Sequence, residues 1–203
     1  MKTIKRSVKM TPNGIWVDGI KMKTSFESLN DVYRHEIGDY PKFFKMDALC
    51  KLGFITSELL LRPVRNTSCH DENMAVIMFN RSSSLCNDKI YQETTNDGPN
   101  SFPSPSLFVY TLPNIVTGEI AIRNKLFGET SFYVLEEFNA GMIMDVVNSA
   151  FQDPVTKRAL CGWLDCMSTD DYIAVVYLIE EAVSSEDTVP TWDEEGIKRI
   201  FNS

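Results

Sequence analysis

The chain has 203 residues, a net charge of −8 and a pI of about 4.8. A 43% hydrophobic and 24% charged content is that of a soluble globular domain, and the length suits one core rather than two. An acidic surface argues against nucleic-acid binding, which needs basic groups to neutralise phosphates. The charge is uneven: residues 1–10 carry four Lys/Arg and no acid, while residues 180–195 carry seven Asp/Glu and no base. Both ends read as solvated.

The basic N-terminus lacks the apolar core of a signal peptide. No apolar run approaches the ~20 residues of a membrane span. The cysteines are Cys50, Cys69, Cys86, Cys161 and Cys166. Their odd number and irregular spacing predict reduced, mostly buried thiols in a cytoplasmic protein.

In chain order, Ile15-Trp-Val17 and Ile20 flank Asp18-Gly19, which predicts a short hairpin. Ser28–His35 reads as a short helix or loop. From Asp47, the residues Leu49, Leu52, Phe54, Ile55, Leu59 and Leu60 recur at helical spacing. Asp47 is placed to cap that helix, and Pro63 lies just past its end. Met74–Phe79 is a continuous apolar run, expected as a strand buried on both faces. Residues 80–106 are rich in Asn, Ser, Asp, Gly and Pro and predict a long loop. Phe102–Ser106 within it is expected to be extended because of its prolines.

Pro113 suits a helix first turn; Ile115, Ile120, Ile122 and Leu126 form an apolar face, and Gly128 is the expected stop. Ser131–Leu135 predicts a strand and Met142–Phe151 a helix broken by Asp153-Pro154. Arg158–Leu164 and Tyr172–Ile179 predict two further strands. The acidic tail from Ser184 ends in an amphipathic piece, Gly196–Phe201. Strands alternating with helices imply parallel pairings in a layered α/β domain.

Candidate chemistry is sparse. The only histidines are His35 and His70. Cys69-His70-Asp71-Glu72 has one ligand pair where a zinc site wants two, and reads as a solvated loop. No phosphate-binding glycine motif is present, and no metal or cofactor is called for. Glu136-Glu137 is a carboxylate pair, but adjacent residues rarely converge on one substrate. Cys161 and Cys166 lack the two-residue gap of a redox helix turn.

Phe108-Val-Tyr-Thr-Leu-Pro-Asn-Ile-Val-Thr-Gly-Glu-Ile-Ala-Ile-Arg123 resembles the N-terminal half of β-ketoacyl synthases of the thiolase superfamily, most closely the degenerate, chain-length-factor-like members of bacterial polyene and resorcinol-type clusters. Tyr40-Pro-Lys-Phe-Phe-Lys-Met-Asp47 resembles the approach to an early synthase helix. Pro113-Asn114 resembles the opening of the helix before the nucleophile strand, and Ala159-Leu-Cys-Gly-Trp-Leu-Asp165 the strand with a glycine turn after the nucleophile helix. The likeness covers about residues 12–180 of one domain.

The resemblance implies a thiolase-like half domain, layered α-β-α with a mixed sheet. Synthases place a nucleophilic cysteine at a sharp strand-to-helix turn, where the helix dipole and backbone N–H groups assist it. Here that turn falls on Glu136, Glu137, Phe138 and Asn139, and none supplies a thiol. The family's further catalytic residues belong to a C-terminal half beyond this chain. The expectation is therefore a non-catalytic partner or scaffold. It would pair with itself, with an active synthase or with an acyl carrier protein.

The strand Ser131, Phe132, Tyr133, Val134 and Leu135 is the expected interface. Lys42, Lys45, Lys51, Arg62 and Arg65 are the expected carrier-docking cations, although they also read as a solvated helix face. Two alternatives stay open. One is a small acyl-thioester hydrolase or decarboxylase with Glu137 as base and Asn139 as polariser. The other is a module binding an acyl ligand.

Overall fold

The computed structural model describes residues 2–64, 71–96, 102–181 and 190–203. Lys2–Thr11 (β1) turns into Gly14–Val17 (β2), and Asp18-Gly19 turns that strand into Ile20–Lys21 (β3). Asp18 and Gly19 take φ of 52° and 79°, the left-handed values that an Asp-Gly hairpin turn needs. Leu29–Glu36 (α1), a short 3-10 helix at Pro41–Lys45 and Ala48–Leu61 (α2) follow. The Ser28 hydroxyl accepts from the Asp31 N–H, and Asp47 accepts from the Cys50 N–H at 2.9 Å. Both helices thus start on a side chain that satisfies an otherwise unpaired amide.

Met74–Asn80 (β4) leads to Leu85–Thr95 (α3), Pro105–Val109 (α4) and Ile115–Asn124 (α5). Thr130–Val134 (β5), Ala140–Ala150 (α6), Arg158–Ser168 (β6), Asp171–Glu181 (β7) and Glu194–Asn202 (α7) complete the chain. The strands form one sheet in the order β3-β2-β1-β7-β6-β4-β5. Only β5-β4-β6 is parallel. Strands β6 and β7 are joined by a tight turn with no crossover helix, so they pair antiparallel, and β1 pairs antiparallel with β7.

The sheet carries helices on both faces. On one, Leu52, Phe54, Ile55 and Leu60 of α2 bury against Val8, Met78, Leu164 and Val176. On the other, Ile143 and Val147 of α6 and Ile197 of α7 bury against Ile77, Phe79, Trp163 and Tyr177. Alternate residues of β4 therefore enter opposite cores, which is why its sequence is an unbroken apolar run. The result is the layered α/β architecture with a mixed sheet.

Helix α2 is enclosed so fully that its polar residues sit inside. Thr56 donates to the carbonyls of Leu52 and Gly53, and Ser57 donates to that of Phe54. Such back-bonding satisfies buried hydroxyls without a partner helix. Glu58 is fully buried and receives the Arg123 guanidinium at 2.9 Å, which also reaches Asp39. At Gly53 a Cβ would lie 2.3 Å from Val116 Cγ2, so α2 and α5 pack closer than any side chain there would allow.

Several expectations need correcting. Residues 80–106 are not one loop, because α3 occupies Leu85–Thr95 and α4 begins at Pro105. Only Phe102–Ser104 of the proline-rich stretch lies outside a helix; Pro105 takes the first helical turn, where its missing N–H costs nothing. Helix α5 ends at Lys125 in the left-handed conformation, φ 55°, not at Gly128. Gly128 instead lets the backbone pass the Met74 carbonyl, which a Cβ would approach to 2.4 Å. Pro113 precedes α5 rather than opening it. Gly162 makes no turn; it lies mid-strand in β6, paired with Met78 and Val176. The basic N-terminus is not a solvated end but a strand.

Candidate functional site

Two strand-to-helix turns leave the carboxyl ends of the parallel strands, where α/β sheets commonly hold ligands. The turn after β5 is the one expected to carry chemistry. The Leu135 N–H bonds the Asn80 carbonyl at 2.8 Å, which fixes the end of the strand. Glu136 and Glu137 then project into solvent as an exposed bend. Phe138 turns inward, stacked on Phe201 with ring centroids 3.7 Å apart and edge-on to Trp163. Asn139 is the N-cap of α6, its Oδ1 accepting from the Met142 N–H at 2.9 Å. The strand, bend and helix order is that of the expected turn. Its side chains do structural work or none: Phe138 anchors α7, Asn139 caps α6, and the glutamates meet water.

The expected interface strand is an edge. β5 pairs with β4 on one side and with no described strand on the other. Phe132 faces the α2 core, Tyr133 stacks on Phe79, and Val134 is 51% exposed. Ile122 of α5 and Met142 of α6, the helices before and after this strand, are also exposed. An open edge with apolar neighbours is a template for pairing with another chain.

The turn after β4 is built differently. The Asn80 side chain both accepts from the Ser83 N–H and donates to the Ser83 carbonyl, at 2.9 and 2.8 Å. Ser83 takes φ 51°. Asp165 of β6, 8% exposed, accepts from the Arg81 N–H, the Ser82 N–H and the Ser82 hydroxyl at 3.2, 2.9 and 2.6 Å. The Ser84 hydroxyl donates to the Thr111 carbonyl. This knot aims the start of α3, and with it Cys86, at a cavity of about 470 Å³.

That cavity is walled by Leu29, Met46, Ala48, Ile90 and Leu107, with Lys45, Asp47, Lys51, Cys86, Tyr110 and Asp170 among its polar groups. Burial lowers the Lys51 ammonium and raises the Asp47 carboxyl from their ordinary ranges. The Tyr110 hydroxyl is pushed up to about 12, chiefly by burial and then by Glu119 beside it. Neither Glu137 nor Asn139 lines this cavity.

The five expected docking cations separate. Lys42 is paired to the buried Glu119 at 2.7 Å, a contact that raises its pKa. Arg62 donates to the carbonyls of Glu36 and Ile37 at the end of α1. Lys45 and Lys51 share the cavity wall. Arg65, like Cys69 and His70, lies outside the described residues. Among the described residues no group of three His, Cys, Asp or Glu could hold a metal, and no helix is long and apolar enough to cross a membrane.

Asp165 is not legible as a hub in the sequence, because its partners on the β4 turn reach it only once β6 is set beside β4. The run Asn80-Arg-Ser-Ser-Ser84 was the available signal, as a cluster of turn formers directly after an apolar strand.

No protein-family model and no curated protein matches the sequence. Solved structures do match. The ishigamide ketosynthase/chain length factor aligns with a TM-score of 0.68 at 15% identity, over 91% of this chain and 63% of that one. The ketosynthase ApeO in complex with its chain length factor ApeC, from Xenorhabdus doucetiae, aligns at 0.57 and 14% identity, over 98% of this chain and 90% of the matched one. A type II polyketide synthase acyl-carrier protein in complex with its ketosynthase aligns at 0.59 and 8%, over 89% of this chain and 58% of the matched one. The chain thus spans under two thirds of two of these matches and most of the other. With its mixed sheet and helices on both faces, it has the fold of ketosynthase and chain-length-factor proteins.

Proposed function

We propose that the chain is a non-catalytic, ketosynthase-like partner protein in fatty-acid or polyketide-type biosynthesis, pairing with a ketosynthase through β5. The observation that carries this reading is the combination at one strand. The edge of β5 is open and flanked by exposed apolar residues, while the turn it feeds has no thiol and no side chain poised for chemistry. A nucleophile turn without a nucleophile supplies architecture to a complex, not turnover.

Acyl carrier proteins are the second partner in this reading. Lys45 and Lys51, both in the lining of one cavity, are its contact points for an acidic carrier. The hydrolase alternative draws no support from the geometry, since Glu137 is solvated and the Asn139 carbonyl oxygen is already taken by its cap. The acyl-ligand alternative rests on the 470 Å³ cavity and its apolar wall.

The test is co-purification with the ketosynthase and the carrier encoded nearest to this chain. A complex that forms with the wild type and is lost in Val134→Glu, while the variant stays folded, supports the reading. Failure of the wild type to co-elute with either protein sinks it. A ligand retained through purification, with no partner bound, would favour the acyl-binding module instead.

A further inference from the structure

Two lysines line the cavity beside the β4 turn, and their surroundings differ. Lys45 ends the 3-10 helix and is exposed. Lys51 of α2 is half-buried. Among the described residues no carboxylate lies within ion-pair distance of its nitrogen, whereas Lys42, earlier in the same stretch, is paired to Glu119 at 2.7 Å. The Lys51 nitrogen instead lies 5.6 Å from the centre of the buried Phe43 ring, a weaker partner than a carboxylate.

Asp47, one helical turn before Lys51, lines the same cavity. The Lys51 N–H bonds the Asp47 carbonyl at 3.0 Å, so the two side chains leave the helix on one face. The Asp47 Oδ1 accepts from the Cys50 N–H at 2.9 Å, which holds the carboxyl at the start of α2 and off the lysine. A half-buried ammonium without a counter-charge favours its neutral, nucleophilic form. Burial lowers Lys51 against the opposing pull of Asp47, and burial raises Asp47. Lys45, Cys86 from α3, Tyr110 after α4 and Asp170 from the turn between β6 and β7 face the same space. Leu29, Met46, Ala48, Ile90 and Leu107 supply an apolar wall. An unpaired amine, with a carboxyl one turn away and an apolar wall around both, is equipment for condensation with a carbonyl compound.

We propose that Lys51 binds aliphatic aldehydes in this cavity as a reversible imine, with Asp47 carrying the protons. In the first step the Lys51 nitrogen attacks the carbonyl carbon. A C–N bond forms, and a proton passes from nitrogen to the carbonyl oxygen. In the second step Asp47 gives a proton to the resulting hydroxyl and water leaves. The C=N bond forms as a protonated imine with the Asp47 carboxylate as its counter-ion, and return of the proton to Asp47 gives the neutral imine. One amine and one aldehyde become one imine and one water, with no oxidant or reductant. The aliphatic tail lies against the apolar wall. This inference does not rest on the partner reading, because the chain alone carries every group it needs.

The test incubates the full chain with hexanal and sodium cyanoborohydride, which fixes an imine as a hexyl amine, and maps the product by peptide mass. The expected result is a hexyl group on Lys51 ahead of every other lysine. Lys51→Arg, which keeps the charge, loses that adduct, and Lys45→Arg retains it. Asp47→Asn keeps a capping side chain and slows labelling at Lys51 alone. Label spread evenly over the lysines, or greatest at Lys45, overturns the proposal. So does an Asp47→Asn variant that labels Lys51 at the wild-type rate. The wild-type map needs no substitution, so it decides by itself where a variant fails to fold.

Discussion

Strands β4 and β5 lie side by side, run parallel, and each ends in a turn that opens a helix. The two turns are nevertheless opposites. After β4, nearly every polar group is committed: Asn80 to Ser83, Asp165 to Arg81 and Ser82, Ser84 to Thr111. After β5, one asparagine caps a helix, one phenylalanine is buried, and two glutamates face water. The order and direction of the strands are set by the apolar runs that build the sheet. What sits in a turn is free to vary as long as the helix behind it still starts. The β5 turn keeps a cap and an anchor, which is all the fold requires of it.

That contrast is open to measurement, and its largest consequence concerns Asp165. Replacing it with alanine leaves one buried amide, one part-buried amide and a buried hydroxyl without an acceptor, which costs about 3 kcal/mol. For a chain of this length that lowers Tm by roughly 6–12 °C in a thermal melt. A loss no larger than that of Asn139→Ala would erase the distinction between the two turns.

The next effect in size is chemical. In the wild type, alkylation of Cys86 by iodoacetamide rises with pH around a midpoint of about 7. A midpoint in the ordinary free-thiol range, about 8.5, would contradict that lowering. Asn139→Ala removes the cap of α6 and costs about 1 kcal/mol, read as a Tm lower by roughly 2–4 °C. Smallest of all, Glu137→Ala shifts stability by no more than about 0.5 kcal/mol. It also leaves thioester turnover at the background rate in a malonyl- or acyl-thioester assay. Turnover present in the wild type and lost in that variant would restore the enzyme reading.

Much of this fold is legible in the sequence, for identifiable reasons. The apolar runs of β4, β6 and β7 are buried on both faces and cannot be mistaken for surface. Asp47 and Asp18-Gly19 carry local chemistry that acts alone. β1 was hidden because its lysines look like a charged tail. In the fold Ile4, Val8 and Met10 are buried while Lys2 and Lys9 lie over the rings of Phe151 and Trp16. α3 was hidden because its apolar residues Leu85 and Ile90 are exposed and its one fully enclosed residue is Asn87. The site divides in the same way. That Glu136–Asn139 carries no thiol is read directly from the sequence, but the gathering of Arg81 and Ser82 on Asp165 exists only after β4 and β6 pair.

The proposal is that the open edge of β5 pairs with a ketosynthase while the turn it feeds carries no thiol. The most direct measurement is the mass, by light scattering, of this chain mixed with the ketosynthase encoded nearest to it. The expected result is a 1:1 complex that Val134→Glu abolishes and Glu137→Ala leaves intact. A wild-type chain that remains apart from the ketosynthase, or a complex indifferent to Val134→Glu, would contradict it.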